Sequence, residues 1–200
     1  MALTLELDPA FAARLPAGVD PFDYLLHLDG EMFRDMQERR TLRFTLGERR
    51  YFLKAHLGVG WSEIFKNLLQ LRLPVLGARN EWQALNKLQR LGVDTMQVVA
   101  YGERGRNPAR RESFIVTEAL EDTESLEDFC ADWGTRPQVG RAAIRLKRAL
   151  ITRVASIART MHTHGMNHRD FYICHLLLDV SRDVLSVDPD TLTLSLIDLH

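Results

Sequence analysis

The 200-residue chain carries 26 Lys and Arg residues against 27 Asp and Glu residues, for a net charge of −1, and 46% of its residues are apolar. This balance excludes the overall positive field that is typical of nucleic-acid-binding proteins. Two separated cysteines, Cys130 and Cys174, predict neither a disulfide framework nor a zinc site, and no run approaches the roughly 20 apolar residues that span a bilayer. We expect a cytoplasmic globular protein with no nucleic-acid partner.

The first 120 residues predict a sheet with one main helix. Asp20 and Pro21 open a short helix, and alternating strands then turn at Gly47. Apolar residues at a spacing of three predict a clearer helix that ends at Gly92. The predicted helices are 20–28, 61–73 and 78–91, and the predicted strands are 31–37, 41–46, 51–56, 96–101 and 113–117.

The helix predicted at 61–73, which begins with Trp61, has an apolar face beside a polar one. Amphipathic helices usually pack their apolar face on the core of their own lobe, and this is the simpler interpretation. The alternative is a peripheral contact with a membrane or with a partner protein.

Beyond residue 120 the pattern of elements changes. Ser125 and Asp128 match a capping box for a helix that continues through Trp133. A long helix over 141–164 has apolar residues along one side and ends at Gly165. The remaining predicted elements are short strands at 174–180 and 192–199.

The run His168-Arg169-Asp170 follows the long helix and carries the strongest chemical signal in the sequence. It resembles the run by which protein kinases leave a long helix and enter the catalytic loop. Gly165 ends the helix, and the loop then presents the Asp170 carboxylate where it can accept or orient the proton of an attacking hydroxyl. The tripeptide in this setting predicts a phosphotransferase site.

Three further residues occur in the order that this chemistry needs. Lys54 lies in an apolar strand, where an ammonium group is costly without an anionic partner such as a nucleotide phosphate. Glu81, on the following main helix, could hold Lys54 by an ion pair. Asp198 ends an apolar strand and could bind magnesium, which takes carboxylate and phosphate oxygens. Singly these residues would be a surface lysine, a solvated helix residue and a turn residue, but their joint occurrence indicates a site.

The sequence also departs from the protein-kinase pattern. Residues 36–40 lack the glycines of the usual phosphate-binding loop, so Arg39, Arg40 or main-chain amides would have to meet the nucleotide phosphates. His175 occupies the position of a magnesium-binding Asn, although imidazole prefers softer ions. Asp198 is followed by Leu-His where protein kinases have Phe-Gly.

These departures match a known family. The chain resembles the lipopolysaccharide core heptose kinases of Gram-negative bacteria, in which His takes the Asn position and Leu-His follows the metal-binding Asp. The resemblance spans at least residues 20–200. It is carried by the runs YFLK at 51–54, GWSEI at 60–64, PVLGAR at 74–79, EW at 81–82, SFIVTE at 113–118, NHRDFYICH at 167–175 and IDLH at 197–200.

The resemblance implies ATP-dependent phosphorylation of an inner-core heptose, namely heptose I, on a lipid-linked lipopolysaccharide core acceptor. The implied cofactors are ATP and Mg2+, with Asp198 and His175 as metal ligands. The protein would be peripheral at the cytoplasmic face of the inner membrane. Two alternatives stay open: a kinase of the same fold that acts on another acceptor, and a nucleotide-binding module without activity.

The remaining site residues take their implied roles from their positions. Asp170 is the expected catalytic residue. Lys54 and Glu81 would handle the nucleotide phosphates. Glu118 and its neighbours would line the adenine side of the hinge through main-chain groups.

The implied fold is α+β, a bilobal protein-kinase-like fold with a small N-terminal antiparallel-sheet lobe at 1–120. The start of a mostly helical C-terminal lobe occupies 121–200, and because kinase folds continue past the metal-binding motif, we expect this lobe to be truncated at His200. Uncovered apolar side chains on the long helix would then make the fragment marginally stable, prone to association and weakly active. These side chains are Ile144, Leu150, Ile151, Val154, Ile157 and Met161.

Overall fold

A computed structural model describes residues 3–36, 39–70, 77–134 and 140–199. The chain divides into two compact units: Met1–Gln83 with Gln97–Ala119, and Ala84–Met96 with Leu120–His200. Some predicted features lie outside the described residues: 71–73 of the 61–73 helix, Gln37 and Glu38 of the glycine-free segment, and His200 of the last motif.

A six-stranded sheet organises the first unit. Its strands are β1 (Leu3–Leu7), β2 (Glu31–Met36), β3 (Arg39–Leu46), β4 (Arg49–His56), β5 (Val98–Arg104) and β6 (Glu112–Glu118). Their order is β1-β5-β6-β4-β3-β2, and every neighbouring pair is antiparallel. Strands β3 and β4 form the predicted hairpin, in which Gly47 adopts a φ of 66° that favours glycine.

Strand β1 was not predicted, because Glu6 and Asp8 interrupt the apolar pattern there. It is an edge strand with an alternating pattern of exposure, and it pairs only with β5 in the described sheet. The Asp8 carboxylate then caps α1 (Pro9–Ala12) by accepting hydrogen bonds from the Ala10 and Phe11 amides.

Helix α2 (Pro21–Leu26) confirms the short helix predicted near residue 20. The Asp20 carboxylate caps it by accepting the Asp23 N–H at 2.9 Å. Its buried side chains join the core of the first unit, where Phe22 packs on Phe114 of β6 with ring centroids 5.2 Å apart. This core covers one face of the sheet and so fixes which face each strand residue occupies.

Two longer helices follow β4. Helix α3 (Gly60–Leu69) buries Ile64 against Val59 and Ala109. Helix α4 (Arg79–Arg90) begins in the first unit and ends in the second. Its extent confirms the clear helix predicted at 78–91.

The second unit combines helices with a small antiparallel sheet. Its elements are β7 (Thr123–Ser125), α5 (Leu126–Phe129), α6 (Arg141–Thr163), β8 (Leu176–Asp179) and β9 (Leu194–Leu196), and the sheet order is β7-β8-β9. The Ser125 hydroxyl caps α5 as predicted, by accepting the Asp128 N–H at 3.0 Å. The helix nevertheless ends at Phe129, and the prediction that it continues through Trp133 is wrong.

The expected bare apolar face of α6 is largely covered. Leu150, Ile157 and Met161 are buried, whereas Ile144 is 47% and Ile151 is 60% exposed. The reason is helical geometry: residues seven apart, such as 144 and 151, share a stripe that differs from the stripe of 150, 157 and 161. The described part of the second unit already covers the latter stripe.

The architecture confirms the predicted α+β class, with an antiparallel-sheet unit followed by a unit built on one long helix. Among the described residues, no helix is long and apolar enough to cross a membrane.

Candidate active site

The first unit holds an ion pair between Lys54 of β4 and Glu81 of α4. Alternation along β4 buries Leu53 and Ala55, each 1% exposed, and therefore places Lys54 on the opposite face of the strand. The Lys54 Nζ lies 2.8 Å from the Glu81 Oε1, and Glu81 is only 6% exposed. Burial of a charged carboxylate requires such a partner, because an unpaired charge is costly in a low-dielectric interior.

A polar cluster on β5 anchors the first turn of α4. Arg79 donates two hydrogen bonds to Glu103, from Nη2 at 2.8 Å and from Nε at 3.2 Å, and the Tyr101 hydroxyl donates to the same carboxylate at 3.1 Å. Trp82 stacks on Tyr101 with ring centroids 4.5 Å apart. Burial, with the nearby Glu103 charge, raises the pKa of Tyr101 to about 12, so the phenol keeps its proton at neutral pH. These contacts orient the turn that carries Glu81.

Glu118 ends β6 in a different setting. Its Oε1 accepts a 2.6 Å hydrogen bond from Arg49 Nη1, which raises the pKa of that guanidinium group. The Glu118 N–H donates to the Gln97 carbonyl, and the Ala119 N–H donates to the Arg50 carbonyl. Both amides therefore already donate to carbonyl groups inside the first unit.

The catalytic-loop run begins where α6 ends. Gly165 adopts a φ of 66°, and the Met166 N–H reaches back to the Met161 carbonyl at 2.9 Å, a common way to close a helix. Lys87 of α4 donates to the His164 carbonyl at 2.7 Å, which ties the same corner to the rest of the second unit. The chain thus leaves the helix in a defined direction.

His168 links this loop to the segment after β9. Its Nδ1 accepts the Asp170 N–H at 3.1 Å, and its Nε2 lies 3.1 Å from the Ile197 carbonyl oxygen. A carbonyl oxygen only accepts, so Nε2 carries the hydrogen and Nδ1 is the acceptor. His168 is 6% exposed, and these two hydrogen bonds satisfy both of its ring nitrogens.

His175 continues this network toward Asp198. Its Nδ1 donates to the Asp170 carbonyl at 2.7 Å, and its Nε2 lies 3.7 Å from Asp198 Oδ2. The His175 carbonyl accepts the Ile197 N–H at 2.9 Å. Asp198 itself has a φ of 58°, a left-handed backbone conformation that Asp tolerates better than most residues. Such conformations concentrate at functional sites, where the surrounding contacts hold them in place.

The His175 Nε2 and Asp198 Oδ2 atoms, which are 3.7 Å apart, are the two donors of the predicted magnesium site. Within the described ranges, no group of three His, Cys, Asp or Glu side chains could hold a metal. The Asp198 carboxylate is the kind of ligand that magnesium prefers, and this ion also keeps substrate phosphates and waters in its shell, whereas the His175 imidazole suits softer divalent ions better.

The structure brings the predicted site residues together in two groups. Lys54 pairs with Glu81 in the first unit, and Asp170, His175 and Asp198 form one network in the second. Glu118 belongs to neither group. Their roles in binding and catalysis stay predictions.

The two arginines that could replace the glycine-rich loop, Arg39 and Arg40, already make contacts within the first unit. Arg40 Nη2 donates to the Leu28 carbonyl at 3.3 Å and lies 3.7 Å from Asp29 Oδ1. Arg39 pairs with His56 in the sheet register. A phosphate contact by either residue stays a prediction.

Sequence reasoning missed two positioning elements. The sequence motif includes His168, but the motif alone predicted no contact for it. A histidine two residues before Asp170 can nevertheless accept the Asp170 N–H. Glu103 received no role, although an acidic residue within a strand of buried residues signals a charged partner. That partner, Arg79, could not be identified without the register of α4 on the sheet.

Comparison with known proteins shows that the chain is similar to the members of a kinase family. The model of the lipopolysaccharide kinase (Kdo/WaaP) family matches residues 23–200. Two relatives named lipopolysaccharide core heptose(I) kinase WaaP are each 52% identical to this chain. The one from Escherichia coli aligns over 98% of this chain and 71% of its own length, and the one from Pseudomonas aeruginosa over 99% and 71%.

A solved structure is also similar. It is described as WaaP in complex with acyl carrier protein, is 45% identical, and superimposes with a TM-score of 0.79 over 98% of this chain and 70% of its own. The chain thus spans about 70% of the length of these proteins. Together the likenesses confirm the predicted family and fold class.

Proposed function

Because this chain belongs to the lipopolysaccharide kinase (Kdo/WaaP) family, we propose that it transfers the γ-phosphoryl group of ATP to a hydroxyl of heptose I in the lipopolysaccharide core. The observation that carries this proposal is the network in which His168 and His175 hold the backbone of Asp170 while His175 faces Asp198. In the proposed reaction, Asp170 of this network would be the acid–base group, and His175 and Asp198 would be the metal ligands that phosphoryl transfer needs.

The proposed reaction forms one bond and breaks another. The heptose hydroxyl oxygen attacks the γ-phosphorus of ATP, and the bond from that phosphorus to the β–γ bridging oxygen breaks to release ADP. The proton of the hydroxyl passes to the Asp170 carboxylate and then to solvent. Asp170 can take this role because its main-chain N–H and C=O are both held by histidine rings, which leaves its half-buried carboxylate for the acceptor.

Lys54 would bind the nucleotide phosphates. Its side chain is 23% exposed beside Glu81, so it can contact an anion while keeping its protein partner. The Arg79–Glu103 contact would keep Glu81, and through it Lys54, in place. Glu118 and its neighbours would meet adenine through carbonyl groups.

Asp198 and His175 would hold magnesium when Mg2+-ATP is bound. The ion supplies neutralisation of the phosphate charge that develops during transfer. The second nitrogen of His175 is already fixed by the Asp170 carbonyl, as is common for metal-binding histidines.

The acceptor of the proposed reaction is lipid-linked, and α3 offers a surface for a membrane. The apolar residues of α3 differ in exposure. Ile64 is buried, whereas Trp61, Phe65 and Leu69, which follow one another at a spacing of four residues, are 50%, 58% and 86% exposed. Lys66 lies exposed on the same helix, and Arg110 lies exposed in the short turn that α3 contacts.

This combination of aromatic and cationic side chains suits the interface of an anionic bilayer. We therefore propose that the protein is a peripheral enzyme of the inner membrane, with α3 as the membrane contact. The prediction that α3 only packs on its own unit accounts for Ile64 and not for the other three residues.

The experiment that tests the function is direct. The complete protein is incubated with radiolabelled ATP and core lipopolysaccharide that lacks phosphate, with and without magnesium. We expect label on heptose I only with magnesium. Label on a protein or a small molecule, but not on the core sugar, would favour another acceptor. Magnesium-dependent ATP binding without transfer to any acceptor would favour a module without activity.

A further inference from the structure

Helix α6 is strongly basic in a chain of almost balanced charge. Within its 23 residues there are six Lys or Arg residues and no Asp or Glu. The basic residues are Arg141, Arg145, Lys147, Arg148, Arg153 and Arg159. The proposed reaction uses none of them, so this charge lacks an explanation in the catalytic chemistry.

Part of this charge lines one cavity in the second unit. The cavity has a volume of about 470 Å³, and its polar lining comprises Arg145, Arg148, Thr152, Arg153, Ser156 and Asp188. The five α6 residues follow one another at spacings of one to four residues, which places them along adjacent stripes of the helix. Asp188 belongs to the connection between β8 and β9 and forms the facing part of the lining.

We propose that this cavity binds a phosphorylated sugar. Guanidinium groups present paired N–H donors that match two oxygens of a phosphate, and the Thr152 and Ser156 hydroxyls add further donors. Three guanidinium groups against one carboxylate leave the cavity positive. The Asp188 carboxylate can accept hydrogen bonds from sugar hydroxyls, a role that an entirely cationic lining could not fill.

The cavity is large enough for a ligand bigger than a bare anion. Sites for small molecules in proteins usually enclose about 300–1,000 Å³, so a volume near 470 Å³ accommodates a sugar together with its phosphate. Ala149 and Pro189 add an apolar part to the lining, against which a sugar ring can pack.

The phosphorylated sugar can come from two sources: a free sugar phosphate, or the phosphorylated head group of a glycolipid. The proposal does not depend on the proposed kinase function, because the cavity residues belong to neither group of active-site residues. Binding can therefore be measured without ATP, and its failure would leave the phosphotransferase proposal untouched.

The test uses the full chain labelled with nitrogen-15. Glucose 1-phosphate, glucose and inorganic phosphate are titrated in turn, and the guanidinium Nε–H signals of Arg145 and Arg148 are followed by NMR. We expect saturable shifts with glucose 1-phosphate, weaker binding of inorganic phosphate, and no response to glucose. Vesicles that contain a phosphorylated glycolipid, used as competitors, identify the source: preference for the vesicles indicates a head group, and preference for the free sugar phosphate a soluble ligand.

The variant Arg145→Gln/Arg148→Gln should weaken glucose 1-phosphate binding at least about tenfold, since a hydrogen bond between charged groups is commonly worth that factor. Arg159→Gln is the matched control, because Arg159 lies exposed on the same helix outside the cavity lining. All three side chains are exposed, so unchanged melting temperatures are expected. Equal losses in the control, equal binding of glucose, or an unaffected double variant would each overturn the proposal.

Discussion

Arg79 of α4 binds Glu103 of β5 through two hydrogen bonds, from Nη2 at 2.8 Å and from Nε at 3.2 Å. Two residues later, Glu81 binds Lys54 of β4 at 2.8 Å. Two ion pairs, each between a cation and a carboxylate, thus hold the first turn of α4 against β4 and β5 of the same sheet. Neither Arg79 nor Glu103 takes part in the proposed reaction. We therefore expect this pair to affect activity through the position of Glu81.

Glu103→Gln should therefore weaken binding of Mg2+-ATP more than binding of the acceptor. The substitution keeps the shape of the side chain but removes the negative charge that binds Arg79 and strengthens the hydrogen bond from the Tyr101 hydroxyl. We expect it to lower the free energy of unfolding by about 1–3 kcal/mol. The measurements are the KM values for ATP and for acceptor, with a thermal melt. Glu112→Gln is a suitable control, since Glu112 pairs with Arg104 elsewhere on the sheet. An equal change in both KM values, or the same result in the control, would assign Glu103 a merely structural role.

Asp170→Asn should lower transfer by about 10²–10⁴-fold while nucleotide binding survives, because the carboxamide keeps the shape but cannot take the hydroxyl proton. The assay compares single-turnover transfer with ATP affinity in the same protein. Asp183→Asn is a matched control on an exposed turn of the same unit. Near-normal turnover in Asp170→Asn would remove this residue from the catalytic role.

Asp198→Ala should abolish transfer and remove the dependence of ATP affinity on magnesium. The reason is that the substitution deletes the proposed carboxylate ligand, while the Lys54–Glu81 pair remains. ATP titrations with and without magnesium measure this directly. His175→Asn provides the finer comparison: an amide can bind magnesium and also donate to the Asp170 carbonyl, so we expect partial transfer. If ATP affinity responds to magnesium equally in wild type and Asp198→Ala, the metal lies elsewhere.

Replacing two exposed aromatic residues of α3 should release the protein from membranes. We expect Trp61→Ser/Phe65→Ser to lower partitioning to vesicles with anionic lipids by at least tenfold, since burial of one large apolar side chain contributes about 1.5–3 kcal/mol. Phe33→Ser is the control, because Phe33 is a comparably exposed aromatic residue, 57% exposed, on β2. Vesicle sedimentation measures the difference. Similar loss in the control, or full retention in the α3 variant, would argue against this membrane contact.

Local patterns in the sequence predicted most elements and indicated the candidate site residues. The long helix ends at Gly165, the β3–β4 hairpin turns at Gly47, and Ser125 caps α5, because each depends on residues a few positions apart. The boundary of α5 was misjudged, since nothing local marks where a short helix stops gaining from packing.

Tertiary structure alone decided which residues act on one another. The contacts of Arg79 with Glu103 and of His168 with Ile197 join residues 24 and 29 positions apart, and no periodicity within one element encodes them. The same holds for Asp198, whose left-handed backbone places its carboxylate 3.7 Å from His175 although the sequence suggested the end of a strand. Sequence motifs indicated which residues are candidates for catalysis and binding. Only the packing of helices on the two sheets decided their pairing, because the energy of a buried charge depends on the partner that the fold brings to it.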